Sequence, residues 1–114
     1  MTNQEAFTTV KDHLLAQGKR SMAPYSSYDS GGAWRCAYRG ADGLKCALGI
    51  LIPDDEYTPE LEGNEFMELC PVPPSLRGID EDLLSALQCV HDYAQPSDWH
   101  SELKTIAEMH HLTF

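Results

Sequence analysis

The sequence predicts an α+β domain, mostly helical, with about four helices around one short antiparallel β-hairpin. Three observations carry this. Helix-start residues at Thr2, Asp80 and Ser97 each precede apolar residues at spacings of three and four. The stretch from Trp34 to Leu48 instead alternates apolar and polar side chains and is interrupted by Gly40-Ala-Asp-Gly43. Finally, 114 residues suffice for one hydrophobic core and not for two, so residues 1–114 are read as a single domain.

The elements follow in chain order. Thr2-Asn-Gln-Glu5 has the form of a capping box, with Phe7, Val10 and Leu14 on one face and Gly18 just past the end, which predicts a helix over 3–17. Residues 18–33 are rich in Ser, Gly and Tyr and show neither period, so they are read as a loop. The hairpin is expected over 34–48, with Gly43 left-handed in its turn. In that register Tyr38 faces Cys46 and Cys36 faces Leu48, placing these four and Trp34 on the core face and Arg35, Arg39 and Lys45 on the other. The apolar run Ala47–Ile52 is too short for its period to separate strand from buried helix.

Thr58-Pro59 followed by Glu60 and Glu62 predicts a weak helix near 59–69, interrupted by Gly63. Pro71, Pro73 and Pro74 predict an extended connector over 71–78. Asp80 is a strong N-cap, and Ile79 can pack on Leu84 across it, with Leu83, Leu87, Val90 and Ala94 continuing that face. Ser97 is expected to cap a last helix carrying Trp99, Leu103, Ile106 and His110, antiparallel to the one before. The expected core is Phe7, Val10, Leu14, Cys36, Tyr38, Cys46, Leu48, Leu84, Leu87, Val90, Leu103 and Ile106.

Charge is unevenly placed. Residues 1–53 carry six lysines and arginines against four acids, and residues 54–114 carry two against fourteen, which splits the net −10 into +2 and −12. Phosphate contacts need clustered Lys and Arg, so direct nucleic-acid binding by the acidic part is not expected. A protein partner with a basic surface is. The competing reading is a solvated face that keeps a small protein soluble. No apolar run approaches the roughly 20 residues that span a bilayer, and the N-terminal residues lack a basic region followed by an apolar stretch. A cytoplasmic protein with reduced thiols is therefore expected.

No set of residues converges on a catalytic motif. The glycines lack a phosphate-binding pattern. Cys36 and Cys46, together with Cys89 and His91, form the alternative reading, a small zinc- or thiol-dependent module. Spacing argues against it, since there is no C-x2-C knuckle or H-x3-H pair, and Cys89 and His91, two apart, point to different sides of a helix. No cofactor is expected. The residues expected to meet a partner are Asp54, Asp55, Glu56, Glu60 and Glu62, with Tyr25, Tyr28 and Trp34 as an apolar contribution.

Cys36-Ala-Tyr-Arg-Gly40, Gly43-Leu-Lys-Cys-Ala-Leu-Gly-Ile-Leu-Ile-Pro-Asp54, Tyr57 and Glu62-Gly63 together resemble a group of small uncharacterised phage and prophage proteins, and Leu84-Ser-Ala-Leu-Gln-Cys-Val-His-Asp92 does so more loosely. The resemblance implies a phage accessory protein acting in the cytoplasm of a bacterial host. Small acidic phage proteins often look like inhibitors of host defence or of host nucleic-acid enzymes, and by that analogy of size and charge the expected function is non-enzymatic binding of a host or phage protein.

Overall fold

A computed structural model describes residues 1–24 and 34–114. It is an α+β, mostly helical domain. Its elements are α1 (Asn3–Gln17), β1 (Met22–Pro24), β2 (Trp34–Cys36), α2 (Ala47–Leu51), α3 (Glu81–Tyr93) and α4 (Trp99–Met109). Short 3-10 turns punctuate the long connections. Among the described residues, no helix is long and apolar enough to cross a membrane.

α1 starts and stops where its caps dictate. Thr2 Oγ1 accepts the Glu5 amide at 3.0 Å while the Glu5 carboxylate accepts the Thr2 amide at 2.8 Å, and Gly18, at φ +69°, donates to the Leu14 carbonyl. Its buried face is Ala6, Phe7, Val10 and Leu14. The chain end returns to this helix. Gln4 exchanges hydrogen bonds with the Thr113 backbone, and Phe114 lies against Phe7 and His100.

The hairpin is not the one expected over 34–48. β2 pairs backward with β1 in the register Met22 to Cys36, Ala23 to Arg35 and Pro24 to Trp34, so the expected loop 18–33 contains a strand. Residues 25–33, including Tyr25 and Tyr28, lie outside the described residues. Of the forward pairing, a single bridge remains, Arg39 with Lys45, in the expected register. Two close approaches explain the change. A Cβ at Gly40 would lie 2.8 Å from the Met22 amide, so β1 fits against the turn only because Gly40 has none. Just past the bridge, Cys46 becomes an N-cap, its Sγ accepting the Gly49 amide at 3.3 Å, and Ala47–Leu51 closes its own backbone hydrogen bonds as a buried helix. Leu48 therefore belongs to α2 and not to a strand.

Between α2 and α3 the expected helix near 59–69 resolves into two 3-10 turns, Pro59–Leu61 and Phe66–Glu68. Glu62 is extended and Gly63 sits at φ +81°, which ends the first turn. The Pro-rich connector is likewise not extended throughout, since Pro74–Leu76 forms a third turn and buries Leu76. α3 begins as its sequence requires, with Asp80 Oδ1 accepting the Asp82 amide at 2.8 Å and Ile79 and Leu84 both buried. α4 does not start on Ser97. A 3-10 turn over Pro96–Asp98 leads into it, because Pro96 takes the first position of that turn.

The four helices share one core. Of the residues expected there, all are buried except Cys36, which is half-buried because β2 runs along a surface cleft. Trp99, Leu76, Leu83 and Ile52 add to it.

Candidate functional site

Residues of the segment 38–62 meet around Glu62. One carboxylate oxygen accepts the Tyr38 amide at 2.8 Å; the other accepts the Arg39 amide at 3.1 Å and the Tyr57 hydroxyl at 2.7 Å. Arg39 packs over the Tyr57 ring at 4.7 Å, donates to the Ile52 carbonyl at 2.8 Å and pairs with Asp54. Gly49 lies against this hub, since a Cβ there would sit 2.3 Å from the Tyr38 carbonyl oxygen. Burial and the Glu62 carboxylate together push the Tyr57 hydroxyl up to about 12. Each of these groups is used to hold the segment 38–62 together, so their pattern specifies a scaffold.

Beside the hub lies a cleft of about 210 Å³, lined by Arg35, Cys36, Tyr38, Asn64, Gln88 and Asp92 among others. At one side Cys36, His91 and Asp92 bring their thiol, imidazole and carboxylate within 4.8 Å of one another. His91 is fully buried, stacks on Trp99 at 5.7 Å and is bonded at both nitrogens. Nε2 faces the Ser21 amide at 2.9 Å, and Nδ1 faces Asp92 Oδ1 at 2.7 Å. A backbone N–H can only donate, so Nε2 is the acceptor and the ring proton sits on Nδ1, donated to Asp92.

That tautomer decides what the cluster can do. A metal ion on Nδ1 would have to displace the ring's remaining proton, leaving an imidazolate with Nε2 still tied to Ser21. The Cys36 thiol, pushed up to about 12 by burial and by the neighbouring Asp92 carboxylate, keeps its proton at neutral pH and is not a ready nucleophile. Asp92 Oδ1 also accepts the Gln88 side-chain amide at 2.9 Å, and Gln88 in turn accepts the Leu48 amide at 3.1 Å. The arrangement is a satisfied polar network joining Ser21, just before β1, to α2 and α3.

No family model, curated protein or solved structure matches the chain.

Of the alternative ligand set Cys36, Cys46, Cys89 and His91, the structure brings two members together. The cluster joins Cys36 and His91 to Asp92, while Cys46 is buried as the cap of α2 and Cys89 is exposed on α3. Asp92 and Ser21 were not read from the sequence. The adjacency of His91 and Asp92 was a local signal, whereas Ser21 comes from 70 residues away and carries none.

The acids expected to meet a partner separate into two groups. Glu62 is turned into the hub, and Glu56 accepts the Ser75 amide at 2.8 Å and hydroxyl at 2.6 Å, which hold its carboxyl below the usual range. Asp54, Asp55 and Glu60 are exposed, as are Glu65, Glu68, Asp80, Glu81, Asp82, Asp98, Glu102 and Glu108. Among the described residues, the ion pair that reaches an acid of the 54–114 part is Arg39 with Asp54, while neutral His91 donates to Asp92. Trp34 stands in β2, paired through its backbone with Pro24.

Proposed function

We propose that this is a non-enzymatic accessory protein that binds a protein partner with a basic surface, in the manner of a phage product directed at a host defence or nucleic-acid enzyme in the cytoplasm. One observation carries the reading. The exposed carboxylates of residues 54–114 include Asp55, Glu60, Glu65, Glu68 and Glu102, which no lysine or arginine among the described residues pairs with. A surface left that negative repels nucleic acid and attracts a basic protein over about a Debye length, roughly 8 Å at physiological ionic strength. The tautomer of His91 and the protonated Cys36 thiol weigh against the thiol- or metal-dependent alternative.

The test is affinity capture from a bacterial lysate with the wild type and with a variant reversed at Asp55 and Glu60, each at low and high salt. A captured protein that is basic, lost at high salt and lost with the reversed variant supports the reading. Capture that is indifferent to both leaves the acids as solubilising surface and removes its basis.

A further inference from the structure

Side chains from 56–64 and 68–77 line a groove of about 440 Å³. Leu61, Leu69 and Val72 give it apolar walls, and Pro71, Pro73 and Pro74 fix the backbone along one of them. Three carboxylates, Glu56, Glu60 and Glu68, line the same depression against a single guanidinium, Arg77. The hydrogen bonds these acids accept come from neutral groups and leave the charge in place: Glu56 is held by Ser75, and Glu68 takes the Glu65 amide at 2.8 Å. Glu60 is exposed, and its carboxylate has no partner among the described residues. Asn64 donates its side-chain amide to the Glu60 carbonyl at 2.9 Å, which leaves its Oδ1 as a further acceptor. The trough between α3 and α4 has the same volume but a single lining carboxylate, Glu102.

We infer that this groove receives a lysine or arginine side chain of the partner, its aliphatic stem along Leu61, Leu69 and Val72 and its cationic head at Glu60 and Glu68. The inference rests on the basic-partner reading and gives that partner its point of entry. A cleft with low-dielectric walls and an excess of one sign of charge focuses its field and concentrates counter-ions. The occupant must also match the apolar walls, and lysine and arginine do so because a run of methylenes precedes the charge. An apolar side chain would desolvate the carboxylates and offer them no donor. A calcium ion takes about six to eight oxygens, and both Glu56 oxygens are already bonded to Ser75. A second copy of this chain carries −10 and is repelled as a whole. Arg77 opposes the cation, so its removal gives a test of its own.

The probes are a short arginine-containing peptide amide, the same peptide with neutral citrulline in place of arginine, and calcium alone. Backbone NMR shifts are followed on the whole protein at low salt. The arginine peptide is expected to move residues within 58–77, and to bind more than about tenfold more tightly than the citrulline one. Glu60→Gln with Glu68→Gln, both exposed, should cost about tenfold in affinity with an unchanged fold by circular dichroism. Arg77→Gln, which removes the opposing charge, should tighten binding by about threefold. Glu81→Gln with Glu102→Gln makes the same change of net charge away from the groove, and should leave affinity within about twofold. Equal losses from the two glutamate pairs would overturn the groove while the basic-partner reading stands. An arginine peptide that does not bind would also overturn it, and the lysate capture with Asp55 and Glu60 reversed then decides the wider reading separately. Calcium that shifts the same residues and displaces the peptide would give the groove to a metal ion and overturn the inference. Concentration-dependent dimers that Glu60→Gln with Glu68→Gln dissolves would give it to a second copy, with the same result.

Discussion

The backbone N–H of Ser21 donates to Nε2 of His91 across 2.9 Å, and both residues are wholly buried. This bond ties the strand-bearing segment after α1 to the middle of the domain. Replacing His91 by Ala would leave a buried N–H without an acceptor, free Asp92 of a donor and remove the ring stacked on Trp99. The expected cost is about 2 to 4 kcal/mol, read as a lower urea midpoint at unchanged slope. Wild-type stability in that variant would contradict the assigned bond.

Glu62 satisfies three donors with one carboxylate. Glu62→Gln keeps the shape but leaves only one accepting oxygen in place of two, and should cost about 1 to 3 kcal/mol. Tyr57→Phe removes one donor only and should cost about 1 kcal/mol. Thermal melting of the two variants ranks them, and the reverse order would displace Glu62 from the centre of the hub.

Gly49 and Gly43 differ in why they are glycine. At Gly49 a Cβ would meet backbone at 2.3 Å, whereas at Gly43 there is open space and the constraint is φ +75° alone. Gly49→Ala should therefore destabilise by more than about 2 kcal/mol, through forced movement of α2 against Tyr38. Gly43→Ala should cost about 1 kcal/mol. Equal losses in chemical denaturation would mean that α2 packs less closely than described.

The four thiols should fall into distinct classes toward a thiol reagent. Cys70 and Cys89 are exposed and should react first. Cys46 is buried and its thiol is pushed up to about 12, chiefly by burial, so it should react only on unfolding. Cys36, half-buried beside Asp92, should be slow at neutral pH and should accelerate as the pH rises toward that same value. Rapid neutral labelling of Cys36 would reveal a thiolate and revive a chemical role for it.

Glu56 gives a pH dependence of definite sign. Its carboxyl lies below the ordinary 4.5 because the Ser75 hydroxyl and amide bond to the ionised form. The folded value is the lower one, so this contribution is present above the unfolded value and is lost as pH falls through the folded one. Glu56→Gln should lower the melting temperature at neutral pH and flatten its decline on acidification. Parallel melting curves for the two proteins across the acid range would rule this out.

What the sequence revealed was local. The capping box at Thr2 and Glu5, the stop at Gly18 and the cap at Asp80 each involve residues within a few positions, so their chemistry can be read along the chain. The choice of partner for β2 was not, because Met22 wins over Leu44–Leu48 only through the fit of β1 at Gly40 and the helical closure of α2. Glu62 and Glu56 looked like surface acids for the same reason. Nothing near either in sequence announces the amides and hydroxyls that take up their charge, while exposed Asp55 and Glu60 have the same local appearance.

The polar network described above also has a consequence for how the molecule opens. Leu48 is joined to Ser21 through Gln88, Asp92 and His91, each link a hydrogen bond of 2.7 to 3.1 Å. Neither α2 nor the backbone at Ser21, which leads into β1, can separate from α3 without exposing a group that the network satisfies, so these two small pieces carry no private unfolding step. Their amide protons should exchange with solvent at the rate of the whole domain, and Ser21, flanked by short pieces of structure, should be as slow as the centre of α3.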